Sequence, residues 1–437
     1  MARVFENDKR TIDNKEIMIR VAIICHFSNE EIRAQLKQEV PWWERLGMKI
    51  MGRQCQVDTD LAVWITNAIK EFEKKTSEVE IHIIAPAGYI DRPSKEFELR
   101  GIKYFFFNDE QYSFSRRLNI FLGHNRWSKF IKNRGIIKEY LCRIKPQLVH
   151  VIGAENPRYS LSLLDVPSSI PTVLSLQTLL NDDGFFENYP IAKEAFDYLS
   201  KIELELLNRT NYIATTAEKY KFKVLSLLPG AKVLPLPLPL GEGVKYEQSK
   251  KEYDFVYFAR TISKAVIEAI ESFAIAHKDN PTITLDVIGE YTKTEKKFLD
   301  NRLLELGIKD SVFFEGLLPT HQDVLQQMRK ARFALLPLKV DLISGTIREA
   351  MANGLPVLTT DTGELGTQLL NKTLECALIA PQSDYEAMAA NMITLLNSTE
   401  IQDRLQKNGY ALAESLNTNA RAIDEWIRAY RTIIQTE

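Results

Sequence analysis

The sequence has few cysteines, no long apolar run and almost no net charge, and each of these absences excludes a class of protein. Its four cysteines lack the spacing of a disulfide framework or a metal site, which fits a reducing compartment. No stretch reaches ~18 uncharged apolar residues, and the N-terminal segment is charged throughout, so neither a membrane-spanning helix nor a signal peptide is predicted. The net charge of −2 gives no indication of nucleic-acid binding. We therefore expect a cytoplasmic protein without a nucleic-acid partner.

Two motifs of other enzyme classes are absent or have another explanation. Neither half has Gly-x-Gly-x-x-Gly after its first strand, and the segment HFSNEE that follows the first strand contains no glycine, which argues against a nicotinamide dehydrogenase. The triplet Asp58-Thr59-Asp60 matches an Asp-x-Asp metal motif, but it directly precedes the helical run LAVWITNAIKEFEKK, where Asp and Thr are common N-caps. We therefore predict no metal site and no cofactor.

Short apolar runs rich in β-branched and aromatic residues alternate with helix-period segments along the whole chain. This alternation is typical of parallel β-sheets covered by helices. With 437 residues, 45% of them hydrophobic, the chain is long enough for two such domains. We therefore predict an α/β protein with two doubly wound, Rossmann-like sheets. The predicted strands are residues 17–27, 80–87, 103–109, 148–154, 172–177 and 212–217, and a second series that restarts at 254–260.

The character of the sequence changes between residues 233 and 254. The alternating prolines of VLPLPLPL are incompatible with a regular central strand, and the rest of the stretch is charged. The predicted units are a first domain of residues 1–240, a linker of residues 241–253, a second domain of residues 254–415 and a C-terminal helix of residues 416–437.

The C-terminal helix carries Ala422, Trp426 and Tyr430 at four-residue intervals. One face of this helix should therefore be buried. The sequence does not decide which domain covers it, and a return to the N-terminal domain is one option.

Two loops of the second half are suited to binding an anion. Arg260 and Lys264 place two cations between a strand end and the next helix start, where the helix dipole disfavours a free cation. An anion between them would remove this conflict. In an open α/β sheet, ligands bind beyond the carboxyl ends of the strands, which is where this loop lies.

The second loop leads into a short helix. Ser344, Gly345 and Thr346 start this helix with exposed amides, which are suited to an anion. Glu349 follows about one turn later, where it can accept hydrogen bonds from sugar hydroxyls. The pattern also predicts that Ile347, Ala350 and Met351 form a buried apolar face of the helix. The helix should stop at Gly354, and Pro356 should lead into the next strand.

These motifs resemble those of a known family, the retaining GT-B-fold glycosyltransferases of family 4, or glycosyl transferases group 1. That family has a strand ending in Gly-Arg, then Lys-Gly, and later a Glu, seven residues and a second Glu that runs into EAMA-x-G-x-P-V. Here the corresponding residues are Ala259-Arg260, Lys264-Ala265, Asp341 and the stretch from Glu349 to Val357. The resemblance spans roughly residues 254–415 and implies two domains facing a central cleft.

The resemblance implies a role for each of these residues. Arg260 and Lys264 would hold the diphosphate of a nucleotide-sugar donor, Glu349 would bind its ribose, and Asp341 would orient its sugar. The sugar would be transferred with retained configuration to a hydroxyl of a glycan or lipid-linked acceptor, in bacterial surface polysaccharide biosynthesis. In the first half, KPQLVHVIGAENP is similar to the family's PDVVHAHG segment, so His150 and Glu155 are the acceptor-side candidates.

Several positions depart from the family pattern, and they leave alternatives open. Asp341 replaces a Glu, and Ala259 and Ala265 replace glycines. A catalytically inactive, transferase-like subunit that binds a partner therefore remains one alternative. A nucleotide-sugar epimerase on the same fold is another.

The segment of residues 115–145 is strongly basic and contains interleaved aromatic residues. It can be a solvated helix pair, or a surface that meets anionic lipid at the inner face of the cytoplasmic membrane. The stretch PWWERLGMKIMGR, which starts at Pro41, would then add a second apolar contact.

Overall fold

The computed structural model forms two β-sheets, each covered by helices. It describes residues 18–27, 29–50, 63–90, 92–110, 129–182, 185–186, 192–239, 250–261, 265–339, 345–415 and 418–437.

The first sheet has eight strands in the part of the chain that is described, in the order β3-β4-β2-β1-β5-β6-β7-β8. All neighbouring strands are parallel except for the β3–β4 pair at the edge. In chain order the strands are β1 (Ile19–Cys25), β2 (Val79–Ala87), β3 (Ser94–Leu99), β4 (Ile102–Asn108), β5 (Leu148–Ile152), β6 (Thr172–Ser175), β7 (Tyr212–Ala214) and β8 (Lys232–Leu234).

Helices of the first half connect these strands and cover both faces of the sheet. They are α1 (Glu30–Ala34), α2 (Trp42–Ile50), α3 (Val63–Phe72), α4 (Ile131–Ile144), α5 (Pro157–Ser160), α6 (Lys193–Arg209) and α7 (Glu218–Leu227).

The second sheet is parallel, with six strands among the described residues in the order β11-β10-β9-β12-β13-β14. The strands are β9 (Tyr253–Thr261), β10 (Leu285–Glu290), β11 (Val312–Gly316), β12 (Ala331–Leu335), β13 (Val357–Thr360) and β14 (Ala377–Ala380). The helices are α8 (Val266–Asp279), α9 (Lys293–Leu306), α10 (His321–Met328), α11 (Gly345–Ala352), α12 (Tyr385–Asn397), α13 (Thr399–Ser415) and α14 (Asn419–Thr436).

The central strands are buried on both faces, as expected for parallel sheets between helices. Successive residues of β1 belong to different cores, since Ile23 packs with α3 and Ile24 packs with α4. In β9, Phe255 and Val256 alternate in the same way between the two cores of the second sheet. The predicted strands and the two parallel-sheet α/β units are confirmed.

The edge strand β3 was not predicted. Its sequence SKEFEL is half-exposed and charged, so it lacks the apolar run that marks the other strands. It pairs with β4 through the two-residue turn Arg100-Gly101, in which both residues have positive φ angles of 49° and 79°. Glycine is required at the second position because a Cβ there would lie 2.7 Å from Thr76 Cγ2.

The C-terminal helix α14 packs in the core of the first sheet, against α3. The buried indole of Trp426 donates to the carbonyl of Pro237 at 2.7 Å, and the Tyr430 hydroxyl lies 2.6 Å from His150 Nδ1. At the helix end, Glu437 accepts from Lys232 at 2.8 Å and from the Tyr212 hydroxyl at 2.9 Å. The last helix therefore joins β5, β7, β8 and the proline-rich segment that leads out of the first sheet.

Replacing Tyr430 with Phe should lower the free energy of unfolding by about 1–3 kcal/mol, because His150 Nδ1 would lose its buried partner. Urea unfolding followed by circular dichroism measures the change. The matched control is Tyr410→Phe, since that hydroxyl pairs with Glu414 near the surface, and it should change stability by less than about 0.5 kcal/mol. Equal stability of the Tyr430 and Tyr410 variants would contradict the prediction.

Candidate functional site

The residues predicted to bind an anion follow two neighbouring strands of the second sheet. Arg260 lies at the end of β9, and α11 begins shortly after β12. Because β9 and β12 pair directly and in parallel, their carboxyl ends lie side by side. Both predicted loops therefore start from one edge of the sheet, where α/β proteins bind ligands.

Helix α11 forms as its sequence predicts. Ile347, Ala350 and Met351 are buried against the sheet, and Gly354 ends the segment with a left-handed φ of 74°. Strand β13 then begins at Val357. At the other end of the helix, no atom of the described residues lies within 4 Å of the position that a Cβ of Gly345 would take. Among the described residues, nothing therefore occupies the space beside the helix start at Gly345.

Glu349 is held in place by a residue that the sequence analysis missed. Its side chain is 17% exposed, and its Oε1 lies 3.3 Å from His321 Nε2. His321 is the first residue of α10, fixed there by a capping box between Thr320 and Asp323. The pattern Thr-x-x-Asp before an apolar helix could have located this position.

Arg348, the neighbour of Glu349 in the sequence, is half-buried. Burial lowers the pKa of Arg348, against the opposing attraction of the Glu349 carboxylate. Glu349 is thus a half-buried acceptor next to His321.

A second pair of residues links the two loops. Lys339, which follows β12, lies 2.7 Å from the buried carboxylate of Glu268 in the first turn of α8. Neither residue was predicted, because the two partners are far apart in the sequence. The ion pair ties the segment after β12 to the helix that follows β9.

Ala265 explains one departure from the family pattern. It precedes α8 with φ 60° and ψ 20°, the left-handed conformation that glycine adopts most easily. The family's glycine at this position therefore has a conformational reason. Ala265 keeps the same backbone path, at a cost of roughly 1–2 kcal/mol.

Several predicted residues lie outside the described part of the structure. They are Lys264, Asp341, Ser344, the Asp58-Thr59-Asp60 triplet and the side chain of Arg260. Their roles stay predictions, as do those of Gly345, Thr346 and Glu349. Among the described residues, no group of three or more His, Cys, Asp or Glu side chains is arranged to hold a metal ion.

In the first sheet, His150 is part of the core. It is fully buried, with Nδ1 next to Tyr430 and Nε2 2.7 Å from Ser175 Oγ. Burial lowers the pKa of His150 to about 3, so the ring is neutral. Because both ring nitrogens are already paired inside the protein, this geometry gives no support to contact with an acceptor.

Glu155 lies in a polar cluster just beyond β5. Its Oε1 accepts from Asn156 at 3.0 Å and from the Gln177 amide at 3.0 Å, and Gln177 in turn accepts from Trp64 Nε1 at 2.8 Å. Gly153 has no room for a side chain here, since a Cβ would lie 2.8 Å from Glu155 Oε1. The cluster is therefore closely packed around the Glu155 carboxyl group.

The other carboxyl oxygen of Glu155 differs from the first. Oε2 is buried and has no hydrogen-bond partner among the described residues, and the same is true of Thr178 Oγ1. Burial, together with the negative charge of Glu203, raises the pKa of Glu155 to about 7. Near neutral pH this carboxyl group can thus either donate or accept a hydrogen bond.

Glu203 fixes the loop after β6. This fully buried carboxylate accepts from the backbone amides of Leu180 and Asn181, both at 2.9 Å. The side chain of Asn181 adds a third contact at 2.7 Å. Three donors compensate the buried charge and hold the segment that carries Gln177 and Thr178.

A cavity of about 800 Å³ lies at the carboxyl ends of β2 and β4. Its lining includes Tyr89 and Ile90, which follow β2, and Asn108 and Asp109 at the end of β4. The lining also includes cationic and further acidic side chains, namely Lys37, Lys132, Glu39 and Glu110. The first sheet thus has a ligand-sized space at the carboxyl ends of these two strands.

Comparison with protein families gives one match, in the second half of the chain. Residues 244–412 match the family described as glycosyl transferases group 1. None of the curated proteins matches the sequence. The resemblance to this family is confirmed by the match, while the assignment to family 4 remains a prediction.

Solved structures match both halves together. Sucrose-phosphate synthase from Thermosynechococcus elongatus superposes with a TM-score of 0.67 at 15% identity, over 96% of this chain and 100% of its own. A trehalose-6-phosphate protein from E. coli, bound with UDP-2-fluoro glucose, gives 0.65 at 11% identity over 96% and 99%. HepE from Anabaena, in complex with UDP, gives 0.62 at 13% identity over 95% and 100%. The predicted GT-B fold is confirmed.

Replacing Glu155 with Gln should reduce the loss of stability that accompanies rising pH. The folded-state pKa of about 7 lies above the ordinary value of 4.5 for a Glu side chain, so the folded protein retains a proton that the unfolded chain has lost. Its contribution to stability therefore falls as the pH rises from about 4 to about 7. The free energy of unfolding can be measured with urea at about pH 5 and pH 8. The difference between these two values should be smaller by about 1–3 kcal/mol in the variant than in the wild type.

The control for this experiment is Glu375→Gln, which removes an exposed carboxylate paired with Arg404. It should leave the pH dependence of wild type nearly unchanged. If Glu155→Gln also kept that dependence, the Glu155 carboxyl group would be ionised in the folded protein at neutral pH, contrary to the prediction.

Proposed function

We propose that the protein is a retaining glycosyltransferase, because residues 244–412 match the family described as glycosyl transferases group 1 and the fold is GT-B. It transfers a sugar from a nucleoside diphosphate sugar to a hydroxyl of a glycan or lipid-linked acceptor. The expected setting is bacterial surface polysaccharide biosynthesis, in the cytoplasm and at the inner face of its membrane.

The observation that carries this proposal is the pairing of β9 with β12. It brings the strand end that carries Arg260 beside the end of β12, which leads to α11 and its half-buried Glu349. Two cations and the amides of a helix start suit a diphosphate, and a fixed carboxylate suits the two neighbouring hydroxyls of a ribose.

The chemistry follows from this arrangement. The bond between the sugar and the diphosphate breaks, the acceptor hydroxyl attacks the same face, and the departing diphosphate oxygen takes the hydroxyl proton. No protein nucleophile is needed. Arg260 and Lys264 stabilise the charge that develops on the leaving diphosphate, in place of a metal ion, and Asp341 orients the sugar.

On the acceptor side, we keep Glu155 and not His150. The His150 ring is buried with both nitrogens paired. Glu155 has one carboxyl oxygen without a partner among the described residues, at the edge of the first sheet next to Gln177. A carboxyl group with a pKa of about 7 suits the recognition of a sugar hydroxyl, because it can act as donor or acceptor.

Uridine nucleotides are the first donors to test, because two of the similar structures hold UDP or a UDP sugar. Thermal shift against UDP, GDP, ADP, TDP, CMP and their sugars would identify the nucleotide. A ligand at ~100 times its dissociation constant should stabilise the folded protein by about 2.7 kcal/mol. Glu349→Ala should lose most of this shift, because the ribose loses its acceptor.

The matched control is Glu375→Ala, an exposed Glu of the same domain paired with Arg404, which should keep the full shift. No shift with any nucleotide in the wild-type protein would refute the donor site. It would favour the inactive, partner-binding subunit instead. A shift equal in wild type and Glu349→Ala would exclude Glu349 from the site.

Replacing Arg260 with Ala should lower kcat on the order of 100-fold or more, since one donor to the leaving diphosphate is lost. Release of nucleoside diphosphate measures the rate, and nuclear magnetic resonance of the product reports its anomeric configuration. Arg260→Lys keeps the charge and should recover part of the rate. An unchanged kcat in Arg260→Ala, or a product of inverted configuration, would contradict the mechanism.

A further inference from the structure

Helix α2 presents a continuous apolar stripe to solvent. Trp42, Leu46 and Ile50 follow one another at four-residue intervals and are 75%, 50% and 73% exposed. With 3.6 residues per turn, these side chains lie on one face of the helix. Trp43, 47% exposed, lies at the edge of the same face. Isolated exposed apolar residues are normal, but a stripe of this kind marks a contact surface.

Cations lie along the other edge of this stripe. Arg45 and Lys49 each come three residues after a member of the stripe, so the helical repeat places both on the flank opposite Trp43. Both are exposed. Arg45 Nε donates to the carbonyl of Val40 at 2.8 Å, which fixes the base of its guanidinium.

The cavity of the first sheet opens beside this helix. Pro41, which directly precedes α2, is part of its lining, as is Lys132 in the first turn of α4. Ile131, next to Lys132, is 66% exposed. The apolar and cationic surface of α2 is thus continuous with one rim of the cavity.

In the described part of the basic segment 115–145, three of the six cations are paired within the fold. Lys129 pairs with Glu205, Arg134 pairs with Asp165, and Arg143 pairs with Glu96. These three cations hold α4 in place. The continuous exposed apolar stripe lies on α2 and not on this part of α4.

We propose that α2 is an interfacial helix that inserts its apolar stripe between the headgroups of an anionic bilayer. Helices that lie in the membrane surface typically have Trp at the lipid–water boundary, Leu and Ile on the side that enters the lipid, and cations on the flank. Helix α2 has this composition. Each cation near an anionic surface strengthens binding about fivefold. None of the helices in the described part of the chain is long and apolar enough to cross a membrane, so the contact is peripheral.

This contact places the cavity rim at the lipid surface. If the proposed function is correct and the cavity holds the acceptor, then the acceptor reaches it along the plane of the membrane. The membrane contact itself does not depend on the donor site, and the two can fail separately.

Co-sedimentation of the full chain with vesicles tests the contact. Vesicles of phosphatidylcholine and phosphatidylglycerol should bind the wild type at low salt. The triple substitution Trp42→Ser, Leu46→Ser and Ile50→Ser should weaken binding at least about tenfold, because three apolar side chains no longer enter the bilayer. Arg45→Gln with Lys49→Gln should weaken binding about 25-fold on these vesicles but not on pure phosphatidylcholine.

The matched control is Phe298→Ser with Leu304→Ser on α9, two residues that are 60% and 57% exposed. It should bind vesicles as the wild type does. All variants should keep the thermal shift with the nucleotide that stabilises the wild type. Absence of a shift with every nucleotide in all of these proteins would refute the donor site and leave the membrane contact standing.

Three results would overturn the inference. The wild type could fail to sediment with anionic vesicles, or the α2 variant could bind as tightly as the wild type. Light scattering could also show a wild-type dimer and a monomeric α2 variant, in which case a second copy of the chain covers the stripe.

Discussion

The docking of α14 into the first sheet is the constraint on which the arrangement of the chain depends. The hydrogen bond from Trp426 to Pro237 anchors the proline-rich segment at the point where it leaves the sheet. Without Tyr430, His150 would be a neutral imidazole in an apolar core with an unpaired nitrogen. The helix therefore completes a core that the first half of the sequence leaves open.

The parallel sheets impose the second constraint. Every strand end that carries a candidate residue points the same way within its sheet, so residues from distant parts of the sequence meet at one edge. Glu349 and His321 meet after β12 and β11, and Lys339 and Glu268 join the loops after β12 and β9. In the first sheet, Glu155 and Gln177 meet after β5 and β6. The chemistry of each site is thus assembled by topology.

Local features were predictable from the sequence, and contacts across strands were not. Helix α11 could be predicted because its apolar period, its glycine stop and the following proline all lie within a dozen or so residues. His321, Lys339 and Glu268 escaped prediction because their pairing needs the strand order. The amphipathic pattern of α14 predicted a buried face but did not identify the sheet that covers it. His150 shows the same limit, since only the structure decides which face of a strand its side chain occupies.

The position of α14 also has a consequence for dividing the protein. The first sheet takes its core from both ends of the sequence, while the second sheet is formed by the stretch between them, so the chain passes from one to the other twice. A separately produced first half would expose the surface that Trp426, Tyr430 and Ile433 cover. It should fold only if residues 418–437 are supplied as well, fused after the proline-rich segment or added as a peptide. The second sheet, by contrast, can be excised as one continuous piece.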